Sequence, residues 1–446
     1  MMDKTKLISV LLLCLLMPLN ISYARSGEDL SGRLSLSMDK AIEIATANNS
    51  LITEAVEKQK AAMEEEKSAT SDLYPKLSAS YSYTNLKEQP FSRFSLGGSP
   101  SELPVSARDN FRWDVTVVQP LFTGFALSTR RQMAKFGVDI REMEKKQAIL
   151  DIVRQVKVVY LNILLAKKIF AVAEDAVKQL ELHIKDAEKF YEQGIIPYND
   201  LLKSRVVLAN AVQNRVRAES SIEMAVSSLN TLLRVGINRD TNVEDIPKLN
   251  PSSYNLEALI DEAVHKRPEL ETMHIALKNA DQAIRLARSS YYPGVALIGN
   301  YGQTGDDPPA SNNDYTNSYN ASVTVQARWT FFEWGKTRAD TNRYLHEKLS
   351  LQEKLKSVED GISLEVKNSL LNLEVSGKNI KTAEESLTQA RENYRITDLQ
   401  YKQQMTTSTE VLDARTYLTQ AETNYYSALY GYMISEAELM RAIGRR

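Results

Sequence analysis

The chain repeats itself, and this duplication constrains its fold more than any other feature of the sequence. The stretch "KFYEQGIIPYNDLLKSR" from Lys189 aligns with "LQYKQQMTTSTEVLDAR" from Leu399 at a constant offset of 210 residues. Upstream, "MDKAIEIATANNSLI" from Met38 aligns with "LEALIDEAVHKRPEL" from Leu256 at an offset of 218 residues. Two halves with one order of parts, which differ in length only in loops, are expected of structural repeats.

Each half contains one very long helical segment. Residues 126–192 contain no proline, and a heptad of apolar residues runs from Ile149 to Tyr191 with alternating spacings of three and four. Such spacing keeps a narrow apolar seam against a partner helix. We predict a helix at 126–192 and a counterpart at 336–403, each a rod of roughly 100 Å at 1.5 Å per residue.

Shorter helices flank each long one, and two of them laid end to end match its length. The predicted first repeat therefore spans 25–235 and the second 256–446, joined by a linker at 236–255 that lies near the middle of the rods. The shorter helices are predicted as continuous segments at 38–73 and 256–291, with return helices at 198–235 and 408–442 after the bends.

Between the helices the apolar period changes from 3.6 to 2, which predicts two hairpins, at 76–122 and 294–334. Strands of about ten residues with aromatic ends are typical of outer-membrane barrels, although a soluble hairpin with one buried face shows the same alternation. The segments at the hairpin tips are predicted as polar loops. The stripe expected to face lipid contains Leu77, Tyr81, Trp113, Val115, Val117, Val323, Val325 and Trp329.

Four strands cannot close a barrel, since about eight are needed even for a filled one. Twelve strands from three chains would leave room for an aqueous lumen. From the residues alone, the predicted fold class is mostly α with a small β part: long coiled-coil helices and four strands per chain, built on an internal two-fold structural repeat.

The N-terminus reads as a signal peptide at 1–24. "MMDKTK" is basic, "LISVLLLCLLM" is apolar but too short to span a bilayer, and "SYA" ends at Ala24 with a small-x-small form. Lipidation of Cys14, the only cysteine, is the alternative, but Leu13 stands where a small residue is normally needed. The formal net charge of −2 provides no field to attract nucleic acid.

In the order and spacing of these parts, the mature chain resembles the TolC family of outer-membrane efflux and secretion channels over essentially its whole length. The duplication carries much of this resemblance, together with "RPEL" at 267–270, "PLF" at 120–122, "TFFEWG" at 330–335 and "VLDA" at 411–414. In "NNSL" at 48–51, Ser50 occupies the slot of the family's more usual proline, and we expect little effect.

The resemblance implies a homotrimer that forms one conduit in the outer membrane of a Gram-negative bacterium, surrounded by lipid and extending into the periplasm. It would consist of a transmembrane β-barrel, with four strands per chain and twelve per trimer, and a long coiled-coil α-helical barrel. It further implies that the periplasmic end docks on a membrane-fusion (adaptor) protein, which is coupled to an inner-membrane pump of the RND, ABC or MFS type. Cargo and pump class stay open. The alternative is a periplasmic coiled-coil adaptor or structural protein that does not enter the membrane, but such a protein needs no duplicated amphipathic hairpins.

The resemblance places both bends at the periplasmic tip and implies that they form the adaptor-docking surface, through Gly194, Ile195, Ile196, Gln404 and Met405. An ordinary left-handed helix C-cap also explains the glycine. The family's second bend usually has a glycine where Gln404 stands and often a basic residue where Thr406 stands. If that base normally locks the tip, this chain locks it differently or less tightly.

The resemblance also implies that inward carboxylates narrow the pore. By position these are Glu410 and Asp413, three residues apart on one helix face, with Asp200 as the first-half counterpart of Glu410. Stacked rings of like charge would attract cations. Acidic residues in a first helical turn are favoured by the helix dipole in any case, so capping is the alternative role.

An enzymatic function finds no support in the sequence, and no catalytic residue, metal site or cofactor is predicted. No nucleophile motif, phosphate loop or zinc signature is present. The four histidines lack the spacing of metal ligands and are predicted to be exposed on helices: His183, His265, His274 and His346.

Overall fold

The structure, a computed structural model, describes residues 34–96, 99–246 and 254–446. The predicted signal peptide, the alternative lipidation site at Cys14 and residues 247–253 of the predicted linker lie outside the described residues. Within the described ranges, no helix is both long enough and apolar enough to cross a membrane.

The described helices form two matching sets, and the long helix of each set has 67 residues. The first set comprises α1 (Met38–Asn48), α2 (Ser50–Ser71), α3 (Ala126–Glu192) and α4 (Tyr198–Leu233). The second comprises α5 (Leu256–Lys266), α6 (Pro268–Arg288), α7 (Lys336–Lys402) and α8 (Ser408–Ala442).

The helices predicted as continuous before each hairpin are each divided once, so that prediction was wrong. The breaks fall at Asn49 and Arg267, which are equivalent at the 218-residue offset and which both have extended backbone, with ψ of 135° and 120°. Arg267 precedes Pro268, and a residue before proline is disfavoured in the helical region. Asn49 caps the following helix with its side chain, which accepts a hydrogen bond from the Leu51 N–H at 2.9 Å.

The strands form one four-stranded antiparallel sheet, in the order β2-β5-β7-β8, and two strand pairs. The four-stranded sheet contains β2 (Lys76–Asn85), β5 (Asp109–Thr123), β7 (Gly294–Gly305) and β8 (Tyr319–Arg328). The pairs are β1 (Leu34–Leu36) with β6 (Thr241–Val243), which are parallel, and β3 (Phe91–Leu96) with β4 (Ser99–Pro104), which are antiparallel.

The β3–β4 pair corrects the prediction of a polar loop at the tip of the first hairpin. Arg93 and Glu102 are directly opposed across this pair, and the Arg93 Nε lies 2.7 Å from a carboxylate oxygen of Glu102. Opposite charges facing each other across two strands favour pairing, and the polar composition of the segment conceals this from a simple loop prediction.

The register of the sheet brings the apolar stripes of all four strands onto one face. Val117 faces Leu77 on one side and Gly299 on the other, and Gly299 in turn faces Val323. Several side chains on this face are largely open to solvent in the single chain, including Val323 at 79% and Leu77 at 73% exposure. The opposite face is polar and carries an ion pair between Arg112 and Asp114 at 2.7 Å.

Both repeats return from sheet to long helix through two consecutive left-handed residues. Gly124 and Phe125 have φ of 60° and 69°, and the equivalent Trp334 and Gly335 have φ of 52° and 80°. Each pair thus contains one glycine, in opposite order. Gly124 also packs so closely that an added Cβ would collide with the carbonyl oxygen of Ser289.

Two hydrophobic cores lie near the middle of the long helices. The first contains Val156 on α3 and Leu229 on α4, and the second contains Val366 on α7 and Leu439 on α8. Tyr160 belongs to the first core, and its hydroxyl lies 2.8 Å from the carbonyl oxygens of both residue 36 and residue 244. This hydroxyl fastens the chain around the short β1–β6 pair to α3, and burial raises the pKa of Tyr160 to about 12.

Candidate functional site

The two bends end their long helices with the same hydrogen bonds. In the first bend the Ile195 N–H donates to the Phe190 carbonyl at 2.8 Å. In the second, the Met405 N–H donates to the Gln400 carbonyl, also at 2.8 Å. A bond from the residue after a left-handed position back to the last turn defines a Schellman cap. The two repeats therefore share the same backbone geometry at the bend.

Gly194 and Gln404 occupy the left-handed position of the two caps. Their φ angles are 72° and 64°. Glycine adopts this conformation without steric cost, whereas a residue with a Cβ pays roughly 1–2 kcal/mol. The loss of the family's usual glycine at Gln404 has therefore not changed the bend, but it leaves the second bend strained relative to the first.

The residues predicted to dock an adaptor lie at the outermost points of the bends, with one exception. The Ile195 side chain is 41% exposed and that of Met405 is 71% exposed. Ile196 instead packs inward, against the buried Leu201. Each bend thus presents one exposed apolar side chain at the far end of its long helix from the sheet.

Glu410 and Asp413 share the exposed face of α8 just after the second bend. Both are exposed, whereas Val411 and Leu412 between them are buried. The Glu410 N–H donates to the hydroxyl of Thr407, the helix N-cap, at 3.4 Å, so Glu410 also lies in the first turn. Within the described chain neither carboxylate forms an ion pair.

Asp200 differs from these two acids, although its position in the repeat matches that of Glu410. It is half-buried in the first turn of α4, and its carboxylate lies 3.3 Å from the ammonium group of Lys203. A carboxylate paired on its own helix is compensated locally. This pairing makes Asp200 the weaker candidate for a charged ring and leaves Glu410 and Asp413 on α8 as the stronger one.

A buried polar cluster, which was not predicted from the sequence, joins α3, α4, α7 and α8 next to the bends. The His183 Nε2 on α3 lies 2.8 Å from the hydroxyl of Ser408 on α8, which lies 3.0 Å from the hydroxyl of Ser204 on α4. The Tyr401 ring on α7 packs against the imidazole at 4.8 Å between centroids, with the two rings tilted by 40°. These side chains, called the His183 cluster below, join the first hairpin of helices (α3 and α4) to the second (α7 and α8).

His183 was predicted to be exposed, and that prediction was wrong because its side chain is only 5% exposed. Burial lowers the pKa of the His183 imidazole, and the nearby carboxylates of Asp398 and Asp186 oppose this fall only in part. The Nδ1 atom has no hydrogen-bond partner within the described chain. Protonation would therefore place an unpaired charge between the hairpins.

A second apolar stripe on α3 was the sequence signal for this burial. Val172, Ala176 and His183 recur at spacings of three and four with Leu180 and Ala187, which are two members of the seam that was identified. All of them are buried, because α3 packs against α8 as well as against α4. A helix that contacts two partners needs two stripes. The other three histidines are exposed, as predicted.

Arg415 provides another link between the two hairpins of helices. Its guanidinium, with the side chain 4% exposed, lies 3.1 Å from the Asp175 carboxylate on α3. The equivalent Arg205 is half exposed and pairs with Glu188 at 2.9 Å. The carboxylate of Glu422 lies 4.0 Å from Arg415, and burial raises the pKa of Glu422 although Arg415 opposes the rise. Matching arginines thus have different roles in the two repeats.

In the part of the chain that the structure describes, no cluster of three histidine, cysteine, aspartate or glutamate side chains could hold a metal ion. The predicted site residues lie at the bends, on the acidic face of α8 and on the apolar face of the sheet.

The chain is similar to known outer-membrane channels in both sequence and structure. The profile of the family described as "Outer membrane efflux protein" matches residues 41–233 and 259–445. The outer membrane protein TolC of Escherichia coli strain K12 is 21% identical over 435 residues, which cover 94% of this chain and 85% of TolC.

Solved structures share the fold. The CmeC outer membrane channel of Campylobacter jejuni superposes with a TM-score of 0.76 at 16% identity, covering 91% of this chain and 85% of CmeC. The open state of the MtrE outer membrane channel of Neisseria gonorrhoeae gives a TM-score of 0.71 at 19% identity, covering 92% of this chain and 89% of MtrE.

The chain belongs to the outer membrane efflux protein family. It is therefore an outer membrane protein of the TolC-like class of Gram-negative bacteria, a passive transport channel and not an enzyme. The resemblance drawn from the sequence is confirmed, and so is the mostly α fold class with internal duplication. Membership in this family also favours a channel over the alternative of a periplasmic adaptor.

Proposed function

We propose that this protein is the exit duct of a tripartite efflux or type I secretion system. Three copies form one passive conduit, which a periplasmic adaptor protein couples to an inner-membrane pump. The observation that carries the proposal is the pair of equivalent bends, each with an exposed apolar side chain, Ile195 or Met405, at the end of a 67-residue helix. Such a helix is roughly 100 Å long, which suits a span of the periplasm.

The edges of the sheet support a closed assembly of several chains. In the order β2-β5-β7-β8, the edge strands β2 and β8 each have ten residues and lack a second neighbour within the described chain. Long exposed edges with apolar side chains invite pairing with another chain. Since successive strands are antiparallel, β8 of one copy fits β2 of the next, and three copies give a ring of twelve strands with an aqueous lumen.

The acidic face of α8 supports a selective throat. With three-fold symmetry, Glu410 and Asp413 would each form a ring of like charges near the tip. Among the residues that the structure describes, neither carboxylate forms an ion pair, so both would remain available to attract cations from solution. Asp200, already paired with Lys203, would contribute less to this field.

The His183 cluster and the Arg415–Asp175 pair support a closed resting tip. Thr406 stands where the family often places a basic residue in the second bend. The His183–Ser408 contact and the Arg415–Asp175 pair both join α3 to α8 within one chain. Opening of the tip by separation of the hairpins would break both contacts.

Extraction and cross-linking test the proposal. We expect SDS-resistant, heat-modifiable trimers in outer-membrane fractions, and we expect cysteines at Ile195 and Met405 to cross-link to a co-expressed adaptor of the same genome. Met224→Cys, on an exposed position of α4 far from the bends, is the matched control. Absence of the protein from the outer membrane would contradict the proposed duct. Trimers that cross-link only in the Met224→Cys variant would show that the adaptor docks away from the bends.

A further inference from the structure

A cavity lies at the junction between the sheet and the helices, between the start of α3 and the end of α6. Its volume is about 550 Å³, and Phe125 and Tyr292 line it on one side. Ser128 and Gln132 contribute polar groups, and Arg285 and Arg288 complete its wall. No carboxylate belongs to the described lining.

The two arginines of this junction cavity are exposed and have no partner in the described chain. Neither Arg285 nor Arg288 forms an ion pair or a side-chain hydrogen bond with any described residue. Other arginines near helix ends are paired: Arg445 contacts Glu262 at 2.6 Å, and Arg441 contacts Asp151 at 2.8 Å. Two arginines three residues apart on one helix, with no ion pair to any described residue, in a cavity whose described lining holds no carboxylate, suit an anion.

The junction cavity opens beside the apolar face of the sheet. A register shift after Pro120 places Phe122 opposite Val295, on the face that carries Val117. The Phe122 ring lies 5.4 Å from that of Phe125 and 6.4 Å from that of Tyr292, between centroids. Since the latter two rings line the cavity, an aromatic cluster joins the cavity to the apolar face.

We propose that the junction cavity binds the phosphate of an anionic phospholipid in the periplasmic leaflet of the outer membrane; this rests on the proposed insertion of the sheet. Aromatic rings at the edge of an apolar band mark the level of lipid headgroups. At that level, guanidinium groups bind phosphate oxygens in bidentate geometry, while the rings contact the glycerol and first methylene groups.

The charge of the cavity selects among phospholipids. A zwitterionic headgroup would bring an ammonium group next to Arg285 and Arg288, with no lining carboxylate to receive it. Phosphatidylglycerol carries the same phosphate with a neutral glycerol head, whose hydroxyls match the polar side chains of Ser128 and Gln132. The site should therefore prefer phosphatidylglycerol to phosphatidylethanolamine.

Native mass spectrometry of the assembled protein, released from an equimolar mixture of these two lipids, tests the proposal. We expect the wild type to retain phosphatidylglycerol preferentially, and Arg285→Gln/Arg288→Gln to lose that retention by roughly 30-fold, the effect of two basic residues at an anionic surface. Arg215→Gln/Arg217→Gln on α4 removes the same charge from unpaired arginines far from the sheet and should retain phosphatidylglycerol like the wild type.

Three results would overturn the lipid site. If the double variant retained as much phosphatidylglycerol as the wild type, the two arginines would not bind the lipid. Displacement of the lipid by millimolar inorganic phosphate would indicate a site for free phosphate. Loss of trimers with unchanged lipid retention would mean that the arginines contact a neighbouring subunit. Heat-modifiable wild-type trimers in the outer membrane separate all of these from failure of the proposed duct.

Discussion

Asn49 and Arg267, equivalent residues 218 positions apart, each donate a side-chain hydrogen bond to the last turn of a return helix. The Asn49 Nδ2 reaches the Leu232 carbonyl at 3.1 Å, and the Arg267 Nη1 reaches the Ala442 carbonyl, also at 3.1 Å. Leu232 and Ala442 are themselves equivalent at the 210-residue offset. In each repeat, one side chain therefore joins the start of the helix before the β-hairpin to the end of the return helix. These helices are α2 and α4 in the first repeat and α6 and α8 in the second.

The two joints differ in charge, and we predict that they differ in energy. Arg267 is 5% exposed and pairs with Glu269 at 2.8 Å and with Glu365 at 2.7 Å. Arg267→Ala removes this buried guanidinium from two partly exposed carboxylates, which keep their contacts with Arg441, and should cost about 2–3 kcal/mol. Asn49→Ala removes a cap and one carbonyl contact and should cost about 1–2 kcal/mol.

Thermal dissociation of purified trimers measures this difference. Arg445→Ala is the control, because Arg445 pairs with Glu262 while half exposed, and such surface pairs contribute at most about 1 kcal/mol. If Arg267→Ala lowered the dissociation temperature no more than Arg445→Ala, the joint would not depend on the buried guanidinium.

The strained second bend should be improved by glycine. Gln404→Gly removes the cost of a Cβ at φ 64° and should stabilise the tip by about 1 kcal/mol. Gly194→Ala introduces that cost at φ 72° and should destabilise it by a similar amount. Hydrogen exchange of the amides next to each bend reports these changes locally. Slower exchange in the glycine variant is expected, and faster exchange would contradict the strain.

The duplication made the long helices, the apolar stripes and the bends predictable, because each depends on local period and on residues that break it. Other features depend on contacts between distant segments. The break at Asn49 has no proline to mark it, and its cause includes a carbonyl 183 residues away. His183 was misplaced because a single heptad seam describes one partner helix, whereas α3 near the bends packs against both α4 and α8.

The matching of Arg205 with Arg415 is correct in sequence but conceals a difference in environment. The partner of Arg415, Asp175, lies on α3 of the other repeat, whereas Glu188, the partner of Arg205, lies within the same hairpin of helices. Duplication fixes the order of elements, and divergence between the copies then determines which faces meet. The contact between Arg415 and Asp175 therefore could not be predicted from the sequence repeat.

Acid should loosen the contact between the two hairpins of helices. Burial holds the pKa of His183 below its usual value, so between the two values the unfolded chain binds a proton that the folded chain does not. Stability therefore falls as pH drops below about 6.5, by at most about 1.4 kcal/mol per pH unit. Among the facing charged groups, Asp186 and Asp398 moderate the effect and Lys402 adds to it.

His183→Gln keeps a polar group near Ser408 but cannot take up the proton. Hydrogen exchange at the bends, compared between pH 7.5 and pH 5.5, should accelerate in the wild type and not in this variant. His265→Gln, at an exposed histidine, is the control and should behave like the wild type. Equal acceleration in all three proteins would assign the pH dependence to other groups.

The two faces of the sheet should differ in their tolerance of charge. Val325→Arg places a cation on the apolar face, at a cost of about 2–4 kcal/mol if that face meets hydrocarbon. Gln326→Arg places it on the polar face, at the next position along the strand. We expect only the second variant to reach the outer membrane as heat-modifiable trimers. Equal yields would contradict the assignment of the lipid-facing stripe.

Single-channel recording in planar bilayers tests the central claim most directly, since it requires a conduit, a membrane-inserted sheet and an acidic throat together. The wild type should be cation-selective and blocked by trivalent cations added on the side of the bends, because Glu410 and Asp413 concentrate negative charge there. Glu410→Ala/Asp413→Ala should insert equally well, lose the block and become less selective, with Asp200→Ala changing less. Wild-type selectivity and block in the double variant would contradict the account.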